Sequence, residues 1–153
     1  MHPYPGSRRS RPVPPSRRHG LVERLHDAMN RHDLDAFLEC FDPEYRSETP
    51  VHPTRSFTGR EQVRRNWSAV FESTPDFRAD LLRTSVDGEV VWTEWRMYGT
   101  RTDGTDLDQR GVIVMGIPED RIQWVASTSS RYGRTRTRPG RSFIASRATT
   151  RNA

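Results

Sequence analysis

The chain has 153 residues, enough for one small domain with tails, and only 32% are hydrophobic, so a core forms only if those residues are concentrated. All 25 basic residues are Arg and the net charge is +5, yet all 20 acidic residues fall within 23–120, a segment net acidic by eight after its 12 arginines. The basic excess belongs to the two ends, the lone Cys40 excludes an intrachain disulfide, and no apolar run is long enough for a membrane span.

The opening stretch MHPYPGSRRSRPVPPSRRHG holds five prolines and five arginines with no apolar run behind them. It reads as a disordered tail over 1–19 rather than a secretory or twin-arginine signal. With the single cysteine, that points to a cytoplasmic protein. Exclusive use of Arg over Lys points to a GC-rich genome, because Arg codons can be GC-rich and Lys codons cannot.

Leu21, Leu25, Ala28 and Met29 recur at helical spacing and predict a helix over 21–31. Asp33 reads as the N-cap of a second helix, with Leu34, Phe37, Leu38 and Phe41 on one stripe and Pro43 as its stop. Cys40 flanks that stripe and reads as core filler rather than a nucleophile. Alternation over 45–49 predicts a short strand, and Pro50 and Pro53 force a loop after it. Thr58 and Glu61 stand at capping-box spacing ahead of a third helix that presents Val63, Trp67, Val70 and Phe71.

Beyond Pro75 the pattern becomes β, with strands over 77–86, 89–100 and 107–117 and a fourth opening at Arg121. Asp87-Gly88 and Asp103-Gly104 mark the turns between them. Three helices followed by an antiparallel meander make an α+β fold. Such a sheet curls into a cone around the helices, with an apolar mouth where small molecules bind. The ordered domain is expected over 20–126, with a second tail over 127–153.

Within 89–100, Val91, Thr93, Trp95 and Met97 form the more apolar face and are assigned to the cone; Trp92, Glu94, Arg96 and Tyr98 face outward. Tyr45, Thr49, Trp67, Thr93 and Trp95 are the candidate ligand contacts. Trp67 and Trp95 would be flat apolar walls, though ordinary core packing is the commoner role for such aromatics. Arg110 lies on an alternating strand with Val112 and Val114, which predicts burial. A buried Arg needs a partner: either an anionic ligand, which makes it a candidate catalytic residue, or an internal pair with Glu94 or Asp108. His52, in the loop PVHPTR, has the chemistry of a general acid or base, against the plainer reading of an exposed loop histidine. Glu48 should point away from Thr49. His26 and His32 lack a metal-ligand spacing, so no metal is expected, and no Gly-rich phosphate loop or other cofactor motif occurs.

This order of elements, with MNRHDLDAFLECF, FTGREQVRRNW, PDFRADLLRTSVDGEVVWTEWRMYGTRTDGT and RGVIVMG, resembles the SnoaL-like branch of the nuclear transport factor 2-like superfamily over 21–124. The resemblance implies a cone-shaped cavity that binds an apolar molecule and isomerises, hydrates or cyclises it without a cofactor, and a homodimer through the outer sheet face. That superfamily also holds ketosteroid isomerases, whose three catalytic positions fall here on Thr49, Leu25 and about Arg110. Thr is no base near neutral pH and Leu has no donor, so steroid-isomerase chemistry is not expected. Two alternatives stand beside the enzyme: a non-catalytic ligand-binding or dimerisation module, and a nucleic-acid binder acting through the Arg-rich tails. The stretch RYGRTRTRPGR suits the latter superficially, but it lacks a recognition motif and has few aromatics.

The residues from Trp124 read W-V-A-S-T-S-S-R-Y, where SnoaL-like relatives commonly carry something like W-G-R-L-Y-M-E-P-V. Back-translated with GC-rich codons and given one extra G, the stretch becomes W-G-R-V-Y-L-E-P-V. The expectation is therefore that the chain after Trp124 is an out-of-frame tail from a one-base deletion, natural or introduced in sequencing. On that reading the final strand loses an apolar run that would line the cavity, its remnant pairs only as a weak edge, and the basic excess is an accident.

Overall fold

The computed structural model describes residues 13–50 and 52–128. Helix α1 spans Pro15–Arg31, six residues earlier than the apolar spacing predicts. Pro14 and Pro15 explain the start: proline is tolerated where the first helical N–H has no partner. Leu21, Val22, Leu25, Ala28 and Met29 form its buried stripe. Arg18 is also buried, within the stretch read as a tail. Its Nε donates to Ile117 O at 2.7 Å, and its Nη atoms donate to Val13 O at 2.6 Å and Pro118 O at 3.2 Å.

The end of α1 is a Schellman turn. Asp33 N donates to Ala28 O at 3.0 Å and His32 N to Met29 O at 3.3 Å. His32 holds φ 54°, a left-handed conformation that favours glycine. Its ring stacks on Phe71 at 4.6 Å and bonds Phe77 O through Nε2 at 2.8 Å, which offsets the backbone cost. Asp33 caps α2 (Leu34–Glu39) by accepting from Ala36 N.

Strand β1 spans Phe41–Glu48, so Phe41 opens a strand instead of closing the helical stripe. Pro43 does not stop the helix, which has already ended; it sits inside β1 where the register against its neighbour shifts, a place where a missing N–H is tolerated. After a 3-10 turn at Pro53–Arg55, β2 is only Phe57–Thr58. The capping box does not form. Thr58 is in β2, and Gly59, at φ 101°, is the uncapped start of α3 (Arg60–Ser73). Val63 on α3 is buried, and Trp67, Val70 and Phe71 pack against the core.

Strands β3 (Arg78–Asp87), β4 (Val90–Thr100), β5 (Asp106–Gly116) and β6 (Ile122–Ser127) complete a six-stranded sheet ordered β2-β1-β6-β5-β4-β3. Asp87 pairs with Val90, so the β3–β4 loop is Gly88-Glu89, and only Gly88 takes positive φ. The sheet is curled and unclosed, and it is mixed: β6 runs antiparallel to β5 and parallel to β1. The expected weak edge is therefore an interior strand. Val125 is in the core, and backbone pairing continues to Ser127.

β3 ends the sheet, and α1 caps its open backbone at Ala79. Asn30 donates to Ala79 O at 2.9 Å and accepts from Ala79 N at 2.8 Å, mimicking a neighbouring strand, and His26 Nε2 also bonds Ala79 O at 2.7 Å. Of the two histidines weighed as metal ligands, His26 thus clips α1 to the β3 backbone, and His32, just past α1, clips to Phe77 just ahead of β3. Of the expected out-of-frame tail after Trp124, residues 129–153 lie outside the described residues, as do the N-terminal residues 1–12.

Candidate functional site

The inner face of the curled sheet and the three helices enclose a cavity of about 240 Å³. Its aromatic walls are Phe37, Phe41, Tyr45, Phe57, Trp67 and Trp95. Leu25, Met29, Val63, Met97, Ile113, Met115 and Val125 supply aliphatic and thioether surface, and Ser47, Asn66 and Ser127 are polar. The aromatics interlock: Phe37 meets Trp67 at 4.6 Å and Phe41 at 5.1 Å, and Phe41 meets Tyr45 at 4.9 Å. Such tilted and edge-on pairs hold the wall rigid around the space.

The alternation of β4 sets one wall. Val91, Thr93 and Trp95 are buried and Met97 is half-buried, while Trp92 is 50% exposed on the outside. Trp95 Nε1 donates to Thr93 Oγ1 at 2.7 Å, and Thr93 Oγ1 donates to Ile113 O at 2.7 Å. The relay satisfies the indole N–H away from the cavity and leaves an apolar ring facing it. Thr93 thus supports the wall without being among the residues that line it.

Tyr45 and Ser47 lie on one face of β1, two residues apart. Burial pushes the Tyr45 phenol up to about 12, partly opposed by its hydrogen bond with Ser47, so at neutral pH it is a neutral hydroxyl. Ser47 is in register with Val125 across the parallel β1–β6 pair, and Ser127 follows on the same face of β6. Ser47, Asn66 and Ser127 are partly or fully exposed, whereas Leu25, Met29, Phe37, Val63, Trp95 and Met115 are buried. The cavity is therefore apolar at depth and hydroxyl-bearing at its rim. Among the described residues lining it, none is Asp, Glu, His or Arg.

Of the candidate ligand contacts, Tyr45, Trp67 and Trp95 line this space, and Thr93 and Thr49 do not. Thr49 lies just past β1, its N–H bonded to Ser56 Oγ at 3.2 Å. The two candidate catalytic residues are not brought to the cavity. His52 is an exposed residue ahead of the 3-10 turn. Arg110 is exposed on the outer face, cross-strand from Arg96, because Gly111 is the residue paired with inward-facing Trp95. Its apolar neighbours Val112 and Val114 misled the reading: β5 carries apolar residues on both faces near its end. The carboxylates weighed as its partners are engaged elsewhere, Asp108 with Arg96 at 3.0 Å and Glu94 with Arg83 at 3.3 Å. The Arg96 hydrogen bond holds Asp108 below the usual carboxylate range. Ser47, Phe57, Asn66 and Ser127 carried no sequence signal, because short polar side chains and two-residue strands have no periodicity of their own.

A wider surface hollow of about 420 Å³ lies among α1, α2 and the turn before β6. Arg24, Arg31 and Arg121 face Asp27, Glu39 and Asp120 there, so its charges balance and favour neither sign of ligand. Cys40 also borders it, but burial raises its thiol to about 11, which leaves no useful thiolate near neutral pH. Among the described residues, no group of three side chains is arranged to hold a metal ion.

The family model of the SnoaL-like domain matches residues 22–125. The chain is similar in structure to a candidate SnoaL-like polyketide cyclase from Jannaschia sp. CCS1, at 20% identity and TM-score 0.65, over 82% of this chain and 92% of that one. It is similar to AclR, a candidate hydroxylase from Streptomyces galilaeus, at 12% identity and TM-score 0.66, over 75% and 76%. A SnoaL-like protein of unknown function from Burkholderia thailandensis E264 matches at 21% identity and TM-score 0.63, over 78% and 99%. Among curated proteins nothing matches the chain. In all, 393 solved chains match, a breadth that fixes architecture and leaves chemistry open.

Proposed function

This chain belongs to the SnoaL-like domain family, and from that premise we propose that it binds a small apolar molecule in the cavity among its helices and the inner sheet face. The observation that carries the reading is the cavity itself, about 240 Å³ walled by interlocked aromatics, with Tyr45, Trp67 and Trp95 as ligand contacts. Isomerisation, hydration or cyclisation needs a group that moves a proton near neutral pH. Among the described residues, the polar groups of the lining are hydroxyls, an amide and indoles, and the Tyr45 phenol stays protonated. That favours binding over acid–base turnover. Any chemistry done here would rest on hydrogen-bond donation from Tyr45 to a polarised oxygen.

Calorimetric titration of the full chain with naphthalene tests the reading. Saturable 1:1 binding is expected, and it is lost in Ile113→Phe, which fills the cavity from β5. An absence of binding, or equal binding by both proteins, would overturn it.

A second surface supports a further proposal, a homodimer through the outer sheet face. Trp92 is 50% exposed and Leu82, at the bulge in β3, is 44% exposed on that otherwise mixed surface. Trp92→Glu is expected to convert a dimer to a monomer in sedimentation velocity; a wild-type monomer at 100 μM, or an unchanged dimer in the variant, would remove the proposal. The described domain is net acidic, which argues against nucleic acid as its partner. Among the described residues no helix is long and apolar enough to cross a membrane; a cytoplasmic location remains a proposal from the single cysteine.

A further inference from the structure

We infer that the cavity selects a neutral molecule of one or two rings, held with its rings against Trp95 and its single hydroxyl or carbonyl at the rim between Ser47 and Ser127. The inference rests on the proposed ligand-binding reading and adds size, charge and orientation to it. Size follows from volume. About 240 Å³ lies below the roughly 300–1,000 Å³ of typical small-molecule sites. A bulky saturated skeleton of four fused rings exceeds it.

Charge follows from the lining. Among the described residues around the cavity no side chain carries a charge, so an ionised ligand would give up hydration without a counter-ion. Orientation follows from where the polar atoms lie. At depth the indole N–H of Trp95 is already bonded to Thr93, and Tyr45 bonds Ser47. A ligand oxygen placed there would displace an existing bond. At the rim, Ser47 and Ser127 sit on neighbouring strands and face the same space. Both also interact within the protein, but a hydroxyl has one donor and two acceptor positions, so it serves a ligand and the protein together.

The experiment titrates the full chain by calorimetry with naphthalene, 2-naphthol, 2-naphthoate and the saturated four-ring steroid androsterone. Naphthalene and 2-naphthol are expected to bind, 2-naphthoate at least about 10-fold more weakly than 2-naphthol, and androsterone not at all. The double variant Ser47→Ala/Ser127→Ala is expected to weaken 2-naphthol roughly 3–10-fold, the worth of one hydrogen bond, and to leave naphthalene unchanged. The single Ser127→Ala, a gentler change, should show a smaller loss with the same selectivity. Equal loss for both probes, or none for 2-naphthol, overturns the orientation. Naphthoate binding as tightly as naphthol overturns the charge selection, and androsterone binding overturns the size limit. Those three results leave the cavity reading standing, whereas failure of naphthalene and 2-naphthol alike overturns that reading and this inference with it.

Discussion

Replacing Arg18 with Met removes the guanidinium while keeping an unbranched stem that packs on the same surface. In the native protein the side chain is 5% exposed and donates to three backbone carbonyls, those of Ile117, Val13 and Pro118. Hydrogen bonds from a charged donor contribute about 1.5–3 kcal/mol each when buried. Only the Nε bond to Ile117 is fully buried, and the other two are part-buried. The variant is also relieved of desolvating a cation, which offsets part of the loss. The net expectation is a loss of about 3 kcal/mol, or roughly 10 °C in Tm for a domain of this size. Urea unfolding followed by tryptophan fluorescence reads it as a lower midpoint at unchanged slope. Because carbonyls rather than a carboxylate receive the charge, the loss should be the same in 0.05 and 0.5 M NaCl, unlike that of a screened surface pair. Deleting residues 1–12 should cost little, and deleting 1–19 should cost at least as much as the point change. A variant within 0.5 kcal/mol of wild type, or equal stability of the two truncations, would refute the argument that the helix start clasps the turn before β6.

Tyr45 has a folded pKa of about 12 against an ordinary 10.0, so the folded state holds its proton more tightly. That stability is fully present below pH 10 and is lost as pH rises through 12, on the order of 2–3 kcal/mol in all. Cys40, raised from 9.0 to about 11, adds a slope in the same direction that begins about one pH unit lower. Tyr45→Phe should flatten the upper part of the profile of stability against pH, and an unchanged profile counts against a buried phenol. At the end of α1, His32→Ala should cost more than His32→Gly by about 1 kcal/mol, since both lose the Phe71 stack but only alanine resists φ 54°; equal midpoints would show that the turn relaxes. The out-of-frame reading predicts an extra G at the Trp124 codon when the gene is resequenced, and a gene without it disproves a sequencing origin.

The faces of the individual elements were legible in the sequence because they depend only on local geometry. The stripe of Leu21, Leu25, Ala28 and Met29 is buried as its 3.6-residue spacing predicts, and Val91, Thr93 and Trp95 point inward as a two-residue period requires. Asp33 caps its helix because the interaction spans three residues. Misreadings began wherever a distant partner decided the outcome. Arg18 looked like part of a disordered tail, since two of its three acceptors lie 99 and 100 residues away. Arg110 looked buried among valines, since only its register with β4 shows which face it joins.

β6 shows the division most plainly. From Trp124 onward its sequence has no convincing strand pattern, yet it lies between β1 and β5 and brings Val125 and Ser127 to the cavity. Its place comes from backbone pairing on both sides, and from Gly116, whose missing side chain leaves room for the Trp124 indole on the opposite face. The sequence by itself determined the order of the three helices and of the β3, β4 and β5 strands, and that they build an α+β cone. Tertiary structure alone decided which sixteen side chains share the cavity, because strand order and register are set by hydrogen bonds between backbones far apart in the chain, and no side-chain periodicity encodes them.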